Sequence, residues 1–506
     1  MSLADGSELS EDESSPEPSD TPGRRDAITS VRWSIAAVLG RQLPQMVAAL
    51  VLARVLGPDT YGVISAATVY VTFTTLLLDQ GLAVALVQRP TVVPGLSGAV
   101  ASVNLLSAAL LGVITIAGSG PVADFFSAPA LAPLLVVLGA GLLLKGLAIT
   151  PRALLQRALR FRSIGYGDAI GGVFGAGAGI TAALLGAGIW SMAWMVLVTD
   201  SLVAVVLTVA ARPGWPNLRF RLLAEILPFS LRIFGSNALA FLSRNLDNVL
   251  VGRFLGVSAL SLYSMSYRVL VIPVQFIGQT VNRVIFPLFA RVNHQKDKLA
   301  AGLLMATEML AFVAIPPMVG VAVAAPELIE VVLGPSWLPA APVLTVLSVA
   351  GARETVFNVT SPLMRSVGAG RLILRYEVLA AGVQLGGIAV GLQFGVFGVA
   401  VGLMTAGFVL SPVLLAIQRR FTGLPIRSQL GRILPPAHAG AWGVAAYLLI
   451  RWWLKSPIPV LAAGTAAYLV ACAAVLFLAH PRATRRAIDA ARNLLGPGRR
   501  ATTEES

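Results

Sequence analysis

Hydrophobic positions along the chain gather into about fourteen apolar stretches, each close to the roughly 20 residues that a helix needs to cross a bilayer. Because a bilayer offers no water to backbone polar groups, such stretches span it as helices. The pattern predicts spans at residues 31–53, 61–78, 92–118, 130–149, 168–185, 189–211, 226–251, 260–289, 299–325, 338–364, 372–394, 396–417, 433–450 and 457–479. We therefore predict an all-α integral membrane protein with about 14 transmembrane helices.

The predicted spans divide into two sets of six and a final pair. The first set covers residues 31–211, the second covers 226–417 and the pair covers 433–480. A short echo links the two sets, because the motif RVLG at 54–57 follows the first span of one and RFLG at 253–256 follows the first span of the other. Internal repeats are common in transporters, in which one half rocks against the other around a site near the membrane midplane.

Positive charges occupy every second gap between the spans, and this alternation predicts the orientation. Loops that stay in the cytoplasm keep their Lys and Arg residues because positive charge resists translocation. The gaps on the opposite side carry only Arg54, Arg253, Arg451 and Lys455. We therefore predict a multi-pass protein of the plasma membrane with both termini in the cytoplasm. The gaps between spans that are assigned to the cytoplasm include Arg152, Arg157, Arg160, Arg162, Arg212, Arg219, Arg221, Arg291, Lys296, Lys298, Arg365, Arg371, Arg375, Arg419, Arg420, Arg427 and Arg432.

The composition is that of a membrane protein. Hydrophobic residues make up 56% of the chain and charged residues 12%, with a mean hydropathy of +0.79, whereas soluble domains carry roughly 25% charged residues. In a soluble chain the formal net charge of +14 would suggest a nucleic-acid partner. Membrane orientation explains it better, with the cationic ends near anionic lipid headgroups. We therefore expect membrane lipid, and no nucleic acid, among the partners.

The two ends of the chain differ from the spans and from each other. Residues 1–30 are rich in Ser, Pro, Glu and Asp and are predicted to form a disordered acidic cytoplasmic tail. Residues 481–506 are predicted to form a short basic cytoplasmic tail whose arginines can share one helix face at the membrane surface. The single cysteine, Cys472, and the three scattered histidines give no metal-ligand spacing, so no metal or cofactor is predicted.

Four motifs, in their order along the chain, resemble the lipid-linked oligosaccharide flippases, the polysaccharide transporter branch of the multidrug/oligosaccharidyl-lipid/polysaccharide exporter superfamily. The motifs are LARVLGPDTYG at 52–62, GLAVALVQR at 81–89, PRALLQR at 151–157 with Phe161, and LDNVLVGRFLG at 246–256 with Tyr263. The resemblance implies two six-helix lobes around a central cavity plus two C-terminal helices. It also implies transport of an undecaprenyl-diphosphate-linked glycan from the cytoplasmic to the outer leaflet, with glycosyltransferases and a polymerase as possible partners of the same pathway.

Polar residues inside the spans are the candidates for binding that cargo, since an ionisable group in a span is costly and by default functional. They form polar stripes on otherwise apolar helices, and such stripes line water rather than lipid. Arginine suits a diphosphate because its planar fork donates two parallel hydrogen bonds to anionic oxygens. The candidate residues for the diphosphate and glycan are Arg41, Gln45, Arg244, Arg268, Gln275, Gln279, Arg283 and Arg353.

Other interpretations of these charges stay open. Arg244 can pair with Asp247, and Arg353 with an adjacent acid, merely to neutralise each other in the bundle core. The excess of arginine over lysine can also reflect codon usage. Lys145, near the inner end of the fourth span, is expected to extend toward the headgroups. The candidate acids for coupling to H⁺ or Na⁺ are Asp247, Glu354, Glu308 and Asp200, of which Asp247 matches the acidic position in the resemblance.

The sequence also bears on several functions other than transport of a lipid-linked oligosaccharide. The chain has no GxxxxGK[ST] loop, so it does not hydrolyse ATP through one. A membrane glycosyltransferase or polymerase would need acidic or histidine groups at a membrane face, commonly on a sizeable outer loop, and the outer gaps are short. A multidrug or cation antiporter of the same superfamily is expected to have twelve spans and an acidic or aromatic cavity. A peptidoglycan-precursor flippase shares the fourteen spans and the cationic cavity and is the nearest alternative.

Overall fold

The computed structural model describes residues 24–78, 82–88, 93–223 and 227–495, and this part of the chain consists mainly of helices joined by turns and loops. The first seven helices are α1 (Arg24–Leu78), α2 (Leu82–Gln88), α3 (Leu96–Ala117), α4 (Ser119–Phe125), α5 (Leu131–Arg157), α6 (Phe161–Leu184) and α7 (Trp190–Ala211). The next six are α8 (Leu227–Val292), α9 (Lys296–Val332), α10 (Ala341–Phe357), α11 (Thr360–Ser366), α12 (Gly370–Gly391) and α13 (Gly395–Thr422). The chain continues through α14 (Ile426–Trp453), α15 (Pro457–Leu478) and α16 (Pro481–Leu495).

Within those ranges, 11 helical segments are long and apolar enough to cross a membrane. Four of them are interrupted, because α1 and α8 each contain one non-helical glycine, a 3-10 turn at Leu392–Phe394 separates α12 from α13, and the segment Pro335–Ser366 comprises a 3-10 turn, α10 and α11. The two glycines lie in gaps predicted between adjacent spans, whereas the turn at Leu392–Phe394 lies at the end of the predicted span 372–394. The all-α membrane fold is confirmed, and the count of about fourteen spans stays a prediction.

The two long helices break at equivalent positions of the repeated motif. Gly57 has φ 73° and ψ 171°, and Gly256 has φ 84° and ψ 171°. Backbone with positive φ is strained for residues that carry a Cβ, and glycine adopts it freely. The similar RVLG and RFLG sequences therefore produce the same local backbone in both halves of the chain.

Residues 31–211 and 226–417, named the N-lobe and the C-lobe from here on, share one large buried cluster. Leu52 and Tyr61 of the N-lobe and Tyr263 and Trp337 of the C-lobe all belong to it. The division into lobes is a proposal that rests on the internal repeat. The shared core shows that the two halves pack directly on each other in this conformation.

Small residues let helices approach closely inside the C-lobe and around the last helices. A Cβ added to Gly402 of α13 would lie 2.1 Å from the carbonyl oxygen of Gly387 of α12, so these two backbones are in direct contact. Such close approach is typical of membrane helices, where packing drives association. Tyr447 of α14 and Tyr468 of α15 are buried in a separate cluster that also includes Ala324 of α9.

The two termini differ in part from the predicted tails. α1 begins at Arg24, so residues 24–30 of the predicted disordered tail are helical, and residues 1–23 lie outside the described part. Most of the basic C-terminal segment forms α16, and residues 496–506 lie outside the described part.

Candidate functional site

Away from the two glycine breaks, α1 and α8 bring the two lobes into contact at two levels. At the first level, Ser264 Oγ of the C-lobe donates a hydrogen bond to Ser65 Oγ of the N-lobe at 3.1 Å. At the second, the rings of Phe73 and Phe241 have centroids 6.0 Å apart. With a rise of 1.5 Å per residue, Ser264 lies about 12 Å and Phe73 about 24 Å along its helix from the nearest glycine break.

Arg268 lies between these two levels along α8, on the helix face that contacts the N-lobe through Ser264. It follows Ser264 by one helical turn, so both side chains share one face of α8. Its position is about 18 Å from the break at Gly256. The side chain is half-buried, and in the described part of the chain no hydrogen bond or ion pair engages its guanidinium. Among the described residues its five donors are therefore available to a ligand that enters between the lobes.

Asp247 is held in place by neutral donors. The hydroxyl of the fully buried Tyr263 donates to its Oδ2 at 2.7 Å, and the backbone and side-chain amides of Asn248 donate to its Oδ1 at 2.7 and 3.0 Å. Among the side chains that the structure describes, no cation pairs with this carboxyl. Tyr263 also interacts electrostatically with Glu354, so two of the four candidate coupling acids act on the same tyrosine.

Arg353 differs from Arg268 because it has partners inside its own lobe. Its Nε donates to Ser411 Oγ of α13 at 2.9 Å, and its guanidinium carbon lies 5.1 Å from the centroid of the Phe357 ring. These contacts join α10 to α13. The structure therefore favours a packing role for Arg353, and its place in the diphosphate set stays a prediction.

Glu308 is bound by two arginines that arrive from the end of the chain. Arg432 of α14 donates to its Oε2, and Arg486 of α16 donates to its Oε1 through Nη2 at 3.0 Å and Nε at 3.2 Å. The Glu308 side chain is only 5% exposed. A buried carboxylate that is satisfied in this way favours a structural link between α9, α14 and α16 over a coupling role.

Asp200 has a cationic neighbour across the N-lobe. Lys145 Nζ of α5 lies 3.9 Å from Asp200 Oδ2 of α7 and donates to Thr75 Oγ1 of α1 at 3.2 Å. The expectation that Lys145 extends toward the headgroups is wrong, since the ammonium group finds two polar partners inside the lobe. The Lys145 ammonium group thus joins three helices of the N-lobe, α1, α5 and α7.

The remaining candidates are placed only in part. Gln45 is half-buried on α1. No cluster of three or more potential metal-ligating side chains occurs in the described ranges. The other five candidates for the diphosphate and glycan lie on α1 and α8, and their side chains lie outside the described part. These candidates are Arg41, Arg244, Gln275, Gln279 and Arg283. The proposed pairing of Arg244 with Asp247 is among the predictions that stay untested.

Sequence reasoning missed two partners that shape this region. Tyr263 holds Asp247 although the two residues are 16 positions apart and lie on either side of the Gly256 break. Tyr263 belongs to the family motif, which marked it as a residue of interest, but helical periodicity does not predict contacts between residues on opposite sides of a helix break. Lys145 was a lone cation in a span, and the same rule that selected Arg268 would have made it a candidate for an internal partner.

Solved structures share this architecture. The lipid II flippase MurJ in an inward closed conformation matches with a TM-score of 0.69 at 14% identity, over 88% of this chain and 99% of that one. An inward-facing multidrug resistance MATE family transporter of the MOP superfamily matches with a TM-score of 0.61 at 17% identity, over 77% and 98%. The fold is therefore that of the transporters of this superfamily.

The chain belongs to the family described as polysaccharide biosynthesis protein, whose model matches residues 51–342. It is 27% identical to the succinoglycan biosynthesis transport protein ExoT of Rhizobium meliloti (strain 1021), over 73% of this chain and 75% of that protein. It is 25% identical to the lipopolysaccharide biosynthesis protein WzxC of Escherichia coli (strain K12), over 75% and 78%. The teichuronic acid biosynthesis protein TuaB of Bacillus subtilis (strain 168) is 27% identical, over 62% and 68%. The resemblance is confirmed, and family and fold are those of transporters rather than enzymes.

Proposed function

We propose that the chain is a flippase that moves undecaprenyl-diphosphate-linked oligosaccharide from the inner to the outer leaflet of the plasma membrane for cell-surface polysaccharide biosynthesis. Three observations support this proposal. The family is one of polysaccharide biosynthesis proteins, a relative is named as a transport protein for succinoglycan biosynthesis, and the fold is shared with a lipid II flippase. In this proposal both termini are cytoplasmic, and the glycosyltransferases and polymerase of the pathway supply and consume the cargo.

The observation that carries the proposal is the position of Arg268. It shares the α8 face of Ser264, which contacts the N-lobe, and its donors are unoccupied within the described residues. A half-buried cation without an internal partner is costly and is relieved when an anion binds. A diphosphate offers the paired oxygens that a guanidinium binds most strongly. We assign the diphosphate of the carrier lipid to Arg268, with Arg41, Arg244 and Arg283 as further candidates.

The same cation separates the proposal from the main rivals. A site for cationic drugs would be weakened by an arginine that has no acidic partner among the described residues, because like charges repel in a low-dielectric cavity. A peptidoglycan-precursor flippase carries the same diphosphate chemistry, so Arg268 does not exclude it. Those two flippases differ in the glycan they accept, which makes a direct comparison of the two lipids the deciding experiment.

Transport against equilibrium requires coupling, and Asp247 is our proposed coupling acid. Its carboxyl is held by Tyr263 and Asn248 rather than by a cation, so binding of H⁺ or Na⁺ would change its charge without breaking an ion pair among the described residues. Glu308 and Asp200, in contrast, have cationic neighbours in the structure. Glu354 interacts with the same tyrosine and is the second choice.

The proposal is tested with the full chain in proteoliposomes that contain undecaprenyl-diphosphate-linked oligosaccharide. A lectin that does not cross the bilayer measures the glycan exposed on the outside, and mass spectrometry checks the lipid afterwards. We expect exposure to increase with time, to respond to a proton or Na⁺ gradient, and to leave the mass unchanged. The Asp247→Asn variant should keep basal flipping and lose the gradient response.

Two results would contradict the proposal. Exposure no faster than in protein-free vesicles would remove the flippase function, and a change in glycan mass would restore the enzyme alternative. A parallel reconstitution with a lipid II headgroup on the same carrier provides the comparison. Faster flipping of lipid II than of the oligosaccharide would replace the proposed cargo by the peptidoglycan precursor.

A further inference from the structure

Two contacts between the lobes join positions that the internal repeat makes equivalent. Ser258 Oγ donates to Asp59 Oδ1 at 2.5 Å, and Ser264 Oγ donates to Ser65 Oγ at 3.1 Å. Each pair is separated by 199 residues, which is also the separation between the RVLG and RFLG motifs. Contacts between equivalent positions arise where a two-fold axis passes between them. The lobes therefore meet around a local pseudo-two-fold axis beside the two glycine breaks.

The arginines of the two motifs obey the same symmetry. Arg54 of the N-lobe donates through Nη1 to the carbonyls of Val331 and Val332, the last two residues of α9 in the C-lobe. Arg253 of the C-lobe donates through Nη1 to the carbonyl of Phe125, the last residue of α4 in the N-lobe, at 3.1 Å. Carbonyls at a helix C-terminus lack intrahelical partners and carry partial negative charge. Each arginine thus caps a helix of the opposite lobe.

Aromatic residues that follow the two capped helices repeat the pattern. The fully buried Trp337, after α9, donates its Nε1 hydrogen to the carbonyl of Ala53 at 2.9 Å. Phe126, after α4, packs on Gly252, where an added Cβ would come within 2.7 Å of the ring. Ala53 and Gly252 each directly precede a motif arginine. Each arginine that caps a helix of the opposite lobe is therefore accompanied by an aromatic residue from that opposite lobe, which contacts the residue just before the arginine.

These caps account for cations that the charge pattern otherwise leaves unexplained. Arg54, Arg253, Arg451 and Lys455 are the few cations in the gaps assigned to the outside. Arg451 of α14 forms an ion pair with Glu327 of α9 at 3.0 Å, so it does not contact the N-lobe through this pair. The two motif arginines instead bind across the lobes and are both exposed, so water can replace the carbonyls when the lobes separate.

We propose that Arg54 and Arg253 are paired positioning residues that hold the transporter closed at its outer end, and that both caps must release before cargo reaches the outer leaflet. The assignment of this end to the outside rests on the proposed function and its orientation. The symmetry means that rocking one lobe against the other breaks both caps together. A reversible closure of this kind needs hydrogen bonds that solvent can exchange, and both arginines meet that requirement.

The test measures closure directly and requires no glycan. Ser264→Cys in the full chain places a thiol about 12 Å inside the breaks, while the native Cys472 is buried. Cells that express this variant are labelled from outside with a membrane-impermeant maleimide. In the Arg54→Ala/Arg253→Ala background we expect labelling about fivefold to tenfold faster, as loss of a hydrogen bond on each side shifts the closed–open equilibrium. The Arg451→Ala background, which removes an outer arginine without touching a cap, should label like the parent.

Lysine variants separate closure from folding. Arg54→Lys/Arg253→Lys keeps the charge near the helix ends and should restore most of the slow labelling, whereas a purely structural defect would not be rescued in this way. Unchanged labelling in the alanine pair, at normal protein level, would overturn the proposal, and so would equal acceleration in Arg451→Ala. If labelling changes as expected while reconstituted protein moves no lipid-linked glycan, the closure stands and the proposed cargo fails.

Discussion

Gly62 determines how closely the two lobes approach each other beside the glycine breaks. A Cβ at this position would lie 2.4 Å from the carbonyl oxygen of Val257 in the opposite lobe and 2.6 Å from the carbonyl carbon. Both atoms belong to the backbone, which cannot move aside as a flexible side chain can. The closed contact between α1 and α8 therefore requires glycine here.

We expect Gly62→Ala to destabilise the closed conformation by about 1–3 kcal/mol, the usual cost of overpacking a tight site. Thermal unfolding in detergent should show a lower Tm, and maleimide labelling at Ser264→Cys should accelerate. Gly177→Ala is the matched control, because Gly177 is helical and exposed with nothing within 4 Å of the added Cβ. Equal Tm values for the two variants would show that the lobes do not close against Gly62.

At the residue scale the sequence can select candidate residues, but it cannot give their surroundings. Arg268 was a candidate because an ionisable residue inside an apolar stretch is a strong signal by itself. The partners of Glu308 and Asp200 come from distant parts of the chain, and no spacing rule connects Glu308 with arginines 124 and 178 positions away. Whether an acid in a span is free or neutralised therefore had to come from the structure.

One buried acid, Glu308, ties both α14 and α16 to the C-lobe. Arg432 of α14 and Arg486 of α16 both bind Glu308 of α9, and the arginine side chains are 25% and 52% exposed. Water screens an ion pair with an exposed arginine, so the pair with Arg486 is the weaker one. Loss of the more buried Arg432 therefore leaves more uncompensated charge on Glu308. The two arginines should therefore differ in how much stability they supply.

Arg432→Ala should lower the free energy of unfolding by about 2–3 kcal/mol, and Arg486→Ala by about 0.5–1 kcal/mol. Thermal unfolding of the purified protein in one detergent measures both. Arg420→Ala, an exposed arginine near the end of α13, serves as the control and should leave Tm unchanged. A larger effect for Arg486→Ala than for Arg432→Ala would contradict this ranking.

Element boundaries were predictable where a single physical rule sets them. Length and hydropathy located the spans because the bilayer imposes both. The breaks at Gly57 and Gly256 were marked by the repeated motif, although the sequence did not indicate that each pair of helices would share one continuous element. The helical start at Arg24 was missed because acidic composition suggested disorder up to the first apolar residue.

At the scale of the whole molecule, the orientation is a prediction from the alternating charges. Reporter fusions at Arg160, Arg221 and Arg427 should report the cytoplasm, because cationic loops resist translocation. Fusions at Asp124 and Gly334 should report the outside, and both positions lie beside the arginine caps. A cytoplasmic result at Gly334 would invert the molecule and move the closure to the inner side.

The central claim is that an anionic lipid-linked glycan passes between the lobes and is held by Arg268. The measurement that tests it most directly is the initial rate of oligosaccharide-lipid flipping in proteoliposomes that contain equal amounts of wild-type, Arg268→Ala, Arg268→Lys and Arg451→Ala protein. We expect Arg268→Ala to be slower by about tenfold or more, the loss of roughly one charge-assisted hydrogen bond in a desolvated site. Arg268→Lys should recover part of the rate because it keeps the charge without the bidentate fork, and Arg451→Ala should match wild type. A wild-type rate for correctly reconstituted Arg268→Ala would contradict the account.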